Sequence, residues 1–223
     1  MATSGTYTFN LPIDELVEEA AKLAGGEPIT GADLKSARRA LDLLFTDMQN
    51  RGILLHTIRM DELSLTASTT TYDLSANVQD VIEAAVRVSN RDYDVQRIGF
   101  GEYIDIPNKG QSGRPTKFFV DRRFTAPRLY FWPVPSTPYV FLHWAVRNVE
   151  DSGKMANDPE MPRRFWPALV WGLAYQLAAR RGLKVPETRL AFLKAEYEEK
   201  LSQALEEDME RVSLFIRPLR RRR

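Results

Sequence analysis

The spacing of apolar residues divides the chain into a helical stretch, a strand-like stretch and a second helical stretch. From Pro12 to about Ala24, Leu16, Ala20 and Leu23 share one helical face. Pro12 suits a first helical position, Asp14 and Glu15 suit the positive end of the dipole, and Gly25-Gly26 stops the run. A second helix is predicted from Thr30, with Asp33 completing a capping box. Its stripe is Leu34, Ala37, Leu41, Leu44, Phe45 and Met48, and Arg51 and Gly52 close it. Together they predict a helical hairpin. Between Ile53 and Val149 the period shortens. Leu63 and Leu65, then Tyr72 and Leu74, alternate around a Thr/Ser-rich turn as in a β-hairpin, and Val81 to Val88 mixes strand and helix signals. Phe118-Phe119-Val120, Leu129 to Trp132 and Tyr139 to Val146 are short, aromatic or β-branched runs bounded by Gly, Pro or Ser, with Pro133, Pro135 and Pro138 tightening the turn between the last two. This block predicts a small antiparallel sheet or sandwich.

Helical spacing returns after Asp158-Pro159. Phe165, Leu169, Leu173 and Leu177 align over Arg163 to Arg181, with Pro167 tolerable in the opening turns and Gly182 as a stop. Leu190, Leu193, Tyr197, Leu201, Ala204, Leu205 and Val212 align over Pro186 to about Val212. From Glu187 to Glu210 that segment carries eight acids and three bases, so its other face is acidic and solvated. The final segment, SLFIRPLRRRR, has apolar residues among five arginines, a proline and no acid; it is expected to be an arm. The predicted fold is α+β: residues 1–52 and 150–212 form one helical bundle, residues 53–149 a β-rich insertion, and residues 213–223 an extended arm.

Composition narrows the function classes. With 223 residues, 43% apolar and 27% charged, the chain is long enough for a packed core and too apolar to be disordered throughout. A net charge of +1 gives no global attraction to nucleic acid or an anionic membrane. There is no cysteine, which removes disulfide and thiolate chemistry and suits a reducing compartment. MATSGTYTFNLPIDEL lacks a basic region followed by an apolar run, so no secretion signal is expected. The longest apolar region, Phe165 to Ala179, is interrupted by Pro167, Gly172 and Gln176, so no membrane span is expected. Twenty-three of the 31 basic residues are Arg. Guanidinium desolvates more readily than ammonium and bonds in a planar fork, as interfaces favour; a GC-rich genome gives the same bias.

Signatures of catalysis are missing. The two histidines, His56 and His143, stand apart in apolar contexts and read as packed side chains rather than metal ligands. Gly99-Phe100-Gly101 lacks the third glycine of a dinucleotide turn, and neither a Walker loop nor a Gly-x-Ser-x-Gly elbow occurs. Glu102 with Asp105, or Asp158 with Glu160, could in principle be acid and base for glycan hydrolysis, but among 30 acids such pairs are unavoidable. The tetra-arginine terminus and the pairs Arg38-Arg39, Arg122-Arg123, Arg163-Arg164 and Arg180-Arg181 could contact phosphates, although no recognisable nucleic-acid module accompanies them. Trp132, Trp144, Trp166 and Trp171, with Phe165 and Tyr175, lie on periodic elements and are expected mostly in cores.

Four strings, in order, resemble the head-to-tail adaptor (tail accessory factor) family of short-tailed bacteriophages. They are ITGADLKSARRALDLLFTDMQNRGILLHT (Ile29 to Thr57), TYDLSANVQDVIEA (Thr71 to Ala84), GRPTKFFVDRRFTAPRLYFWPVPSTPY (Gly113 to Tyr139) and DPEMPRRFWPALVWGLAYQLAARRG (Asp158 to Gly182). The resemblance implies a non-enzymatic structural protein of the virion, assembled in the host cytoplasm without cofactor or metal. About a dozen copies would form a ring under the portal protein, closed by rotation. The ring would continue the channel through which double-stranded DNA passes non-specifically, and would present a platform to the tail nozzle or tail tube. By the same resemblance the arm docks on the portal: Leu214, Phe215, Ile216 and Leu219 would bury apolar area, Pro218 would end any helix, and Arg217, Arg220, Arg221, Arg222 and Arg223 would pair with acidic groups or DNA. The loop Asn108, Lys109, Gly110, Gln111, Ser112, Gly113 and Arg114 is a second candidate contact, with tail or neighbour; a plain solvent-exposed loop fits its composition equally. The alternatives carried are a virion-associated peptidoglycan hydrolase and a DNA-binding module.

Overall fold

A computed structural model describes residues 5–6, 9–25, 31–52, 54–181 and 184–209. It has the α+β class expected, with helices from both ends of the chain and mainly antiparallel strands between them. In chain order these are α1 (Ile13–Leu23), α2 (Gly31–Arg51), β1 (Ile58–Leu65), β2 (Thr71–Asp73), β3 (Val78–Val88), β4 (Arg91–Asp94), β5 (Gln96–Ile98), α3 (Phe100–Ile104), β6 (Ser112–Gly113), β7 (Lys117–Asp121), β8 (Arg128–Trp132), β9 (Val134–Pro135), β10 (Tyr139–Arg147), α4 (Trp166–Arg180) and α5 (Glu187–Glu207).

The bundle forms around α4, which packs against α1, α2 and α5. The stripe expected on α2 is the buried one: Ala37, Leu41, Leu44, Phe45 and Met48 are each at most 3% exposed and join Leu16, Leu169, Leu173, Leu193 and Leu201 in one apolar cluster. Burying each such Leu or Phe contributes roughly 1.5–3 kcal/mol. Gly172 lets the helices approach: a β-carbon there would lie 2.9 Å from a Leu44 methyl and from the Tyr197 ring. The Tyr197 hydroxyl donates to Asp47 at 2.9 Å, and burial holds that phenol well above its ordinary pKa.

A second apolar cluster lies between two four-stranded sheets, ordered β1-β10-β3-β4 and β2-β8-β7-β5. Alternation sends Phe118, Leu129, Phe131 and Phe141 inward, with ring centroids 5.6 Å apart for Phe118–Phe141 and 4.8 Å for Phe131–Phe141. The block is thus a sandwich. Most strand pairs are antiparallel, but β5 with β7 and β6 with β9 are parallel.

Several expectations are revised. Leu63 and Leu65 do not form a hairpin with Tyr72 and Leu74. β1 pairs with β10 and β2 with β8, so the Thr/Ser-rich segment crosses from one sheet to the other. The Tyr72 hydroxyl, accepting the Thr66 N–H at 2.7 Å, fixes that crossing. Likewise β8 and β10 belong to different sheets, and the proline segment between them contains β9 and the cis Trp132-Pro133 bond. Val78–Val88 is a strand throughout. Gly99 precedes a short helix, α3, that the sequence does not make evident. Pro12 stands one position before α1. Arg163–Phe165 is a 3₁₀ turn leading into α4, with Pro167 in the opening turn. Thr30 and Val212 lie outside the described residues.

Candidate assembly surfaces

The loop Asn108 to Arg114 lies at the end of the sandwich remote from the bundle, beside the start of β7 and the end of β8. Its side chains are largely exposed, while its backbone is tied down. Lys109 Nζ donates to the carbonyls of Ile104 (2.9 Å) and Ile106 (3.0 Å) and sits 5.5 Å from the Tyr103 ring centroid. The Trp132 indole N–H donates to the Asn108 carbonyl at 2.9 Å, and the Val134 N–H to that of Gln111 at 2.8 Å. Arg114 stacks 4.1 Å over Tyr93. Fixed backbone with projecting polar and cationic groups is what a preorganised contact needs, since little ordering entropy remains to be lost on docking.

Next to this loop, α3 lies on the outer face of the second sheet. Tyr103 stacks on Phe119 at 5.5 Å and meets Tyr130 at a tilt with centroids 5.4 Å apart, and its burial raises the phenol pKa. Phe100 and Ile104, on the same short helix, stay 67% and 52% exposed. Phe124, in the turn between β7 and β8, is fully exposed. The α3 surface is not legible in the strand pattern, because a five-residue helix has no repeat long enough to read.

Where bundle and sandwich meet, a buried carboxylate helps to join them. Asp208 follows α5 and is 8% exposed. It accepts the Leu55 N–H at 3.0 Å and forms an ion pair with Arg164. The Gln49 amide donates to the Arg147 carbonyl at 3.3 Å, and the Ser152 N–H to Asp42 at 2.8 Å. Two open clefts flank this junction. One of about 260 Å³ is bordered by Gln49, Gly52, Asp80 and Arg122. The other, about 390 Å³, is bordered by Arg59, Asn77, Arg147 and Glu160. Asp208 was invisible as a functional residue in the sequence, being one acid among many. The arm residues Leu214 to Arg223 lie outside the described residues.

The candidate chemistry is engaged structurally. Glu102 pairs with Lys117 Nζ at 2.6 Å; Glu160 bonds Arg59 at 2.6 Å and the Glu150 N–H at 2.9 Å; Asp158 accepts the Asn10 amide at 2.8 Å. His143 is 3% exposed and burial lowers its pKa; its Nδ1 has no partner among the described residues. His56 Nε2 lies 3.2 Å from the Glu160 carbonyl. Among the described residues no group of three or more His, Asp or Glu is arranged to hold a metal ion, and no helix is long and apolar enough to cross a membrane. Trp166 is buried, whereas Trp144 is 45% exposed on the outer face of the first sheet, opposite Met60.

A family model described as SU10 adaptor protein matches residues 11–222. The chain belongs to the SU10 adaptor protein family. The match covers bundle and sandwich together, in agreement with the phage head-to-tail adaptor resemblance. No curated protein matches the sequence. As a member of a phage adaptor family, the adaptor chain has a structural role among head and tail components and a place in the virion. Its chemistry fits that role: exposed aromatics, several cations held in fixed positions, and candidate carboxylates such as Glu102 and Glu160 engaged in ion pairs.

Proposed function

We propose that this adaptor forms a ring of about twelve copies beneath the portal protein, each copy meeting the next through two different surfaces as rotational closure requires. The ring continues the channel through which double-stranded DNA passes, and offers the tail nozzle or tube its remote face. The family match over residues 11–222 carries this reading. The division into bundle, β insertion and arm assigns the roles. The arm, Leu214 to Arg223, docks on the portal, burying its apolar residues at roughly 25 cal/mol per Å². Ordering the arm costs entropy, so single-copy affinity is modest and the linked copies of the ring supply avidity. The chain is therefore a monomer before assembly, in the host cytoplasm, and assembles on the portal without catalysis. The loop Asn108 to Arg114 faces the tail.

The test is cosedimentation of the full chain, and of a chain ending at residue 212, with purified portal. Full-length protein bound in multiple copies and loss of binding on truncation support the reading. Equal binding of both forms removes the arm from it. A stable ring without portal removes the monomer step. Peptidoglycan cleavage by the purified chain would replace the reading with a hydrolase.

A further inference from the structure

Two outward stripes on the bundle match each other in charge. On α2, Lys35, Arg39 and Leu43 recur every four residues and are exposed, Leu43 by 54%. On α5, Phe192, Glu196 and Glu199 follow at four and three, with Phe192 44% exposed. Spacings of three and four put each set on one face. The helices start at the same end of the bundle: Arg180, at the end of α4, donates to the Ser36 carbonyl at 2.6 Å, and Arg189, near the start of α5, donates to the Leu23 carbonyl at 2.8 Å. At 1.5 Å per residue, Lys35 to Leu43 lies roughly 6–18 Å from the start of α2, and Phe192 to Glu199 roughly 8–18 Å from the start of α5. Gly172 of α4 packs against both Leu44 and Tyr197, which sets Phe192 near the level of Arg39 and Glu196 near that of Leu43, so the stripes overlap with an offset of about one turn.

Among the described residues no ion pair engages Lys35, Arg39 or Glu196. Glu199 pairs with Lys200 at 3.2 Å and accepts the Gln203 amide at 3.0 Å, contacts at an exposed carboxylate that contribute little. Each stripe thus offers one unburied apolar side chain beside like charges, one stripe basic and the other acidic.

We propose that the Lys35–Arg39–Leu43 stripe of one copy docks on the Phe192–Glu196–Glu199 stripe of the next, making the heterologous contact between ring neighbours. The inference rests on the ring reading above and deepens it. Opposite signs on one chain cannot match copies related by a two-fold through the same patch, but they do match a head-to-tail neighbour, and the overlap in height permits neighbours related by rotation with little rise. Across the contact, cation against carboxylate sets register and excludes the reversed pairing. The Phe192 ring already carries Arg189 of its own chain 5.4 Å from its centroid and meets Trp171 edge-on at 5.9 Å, so it enters the contact as apolar area beside the carboxylates. This leaves Asn108 to Arg114 for the tail.

Charge reversal with rescue tests the contact in full-length protein incubated with portal under conditions where wild type forms multi-copy complexes. Lys35→Glu/Arg39→Glu makes both stripes acidic, and Glu196→Arg/Glu199→Arg makes both basic. Each variant alone should lose assembly by roughly tenfold or more, since like charges then face each other at every contact. Helical circular dichroism checks that both fold. An equimolar mixture should regain assembly, because alternating copies restore opposite signs at every contact. Assembly of either variant at the wild-type level would overturn the proposal, as would two failures that mixing does not repair. Basic-stripe reversal that abolishes retention on DNA while rings persist would assign that stripe to a polyanion instead. If wild-type chain forms no multi-copy complex, the ring reading itself fails, which is a separate outcome.

Discussion

Replacing Asp208 with Ala tests whether one buried carboxylate ties α5 to the start of the sandwich. The Asp208 side chain is 1% exposed and holds both the Leu55 N–H and the Arg164 guanidinium. Breaking a buried pair costs about 3–5 kcal/mol when a charge is stranded, and a stranded backbone N–H costs about 1–3 kcal/mol. Arg164 is 35% exposed, so it recovers part of its hydration when unpaired. Removing an acid from the negative end of α5 also returns a few tenths of a kcal/mol. The net expectation is a loss of about 2–4 kcal/mol. For a chain of this size that lowers Tm by roughly 4–16 °C. Asp208→Asn keeps an acceptor for Leu55 and should cost about half as much. Urea titration of wild type, Asp208→Ala, Arg164→Ala and the double variant gives the coupling directly. A loss below about 0.5 kcal/mol for Asp208→Ala would refute the assigned role.

Three further expectations concern other parts of the molecule. Gly172→Ala should lower Tm despite a helix-propensity gain of about 1 kcal/mol, because Tyr197 is held by Asp47 and cannot retreat from a new methyl; overpacking costs about 1–3 kcal/mol, and a raised Tm would contradict this. His143 has its pKa lowered by burial, so below the ordinary value of 6.5 the unfolded chain binds a proton more readily than the folded one. Stability is therefore full above 6.5 and falls as pH drops through it. His143→Gln should flatten that slope in denaturant titrations between pH 7 and 5; an unchanged slope counts against it. Lys109→Ala removes both carbonyl contacts of the 108–114 loop and should speed backbone hydrogen exchange there while leaving the bundle unaffected; unchanged exchange would contradict the tie.

What the sequence disclosed, and what it hid, follows from the range of the interactions. The α2 stripe was legible because helical periodicity is local and the residues it selects, from Ala37 to Met48, are those buried. Strand identity was legible for β7, β8 and β10 for the same reason. Strand partnership was not: Leu65 and Leu74 both face one core, yet from opposite sheets, and alternation alone carries no record of which strand lies beside which. The parallel partner of β7 was also hidden, since three residues, Gln96–Ile98, are too few to show a period. Asp208 depends on contacts 44 and 153 residues away, with Arg164 and Leu55, and nothing in its neighbourhood distinguishes it from other acids. The overlap in height of the α2 and α5 stripes likewise needs the bundle to set it.

The mass of the complex between full-length chain and purified portal, measured by native mass spectrometry, tests the ring most directly. A portal ring carrying about twelve copies, reduced to bare portal when residues 213–223 are removed, is the expected result. A single copy per portal ring, or none with the intact chain, would contradict it.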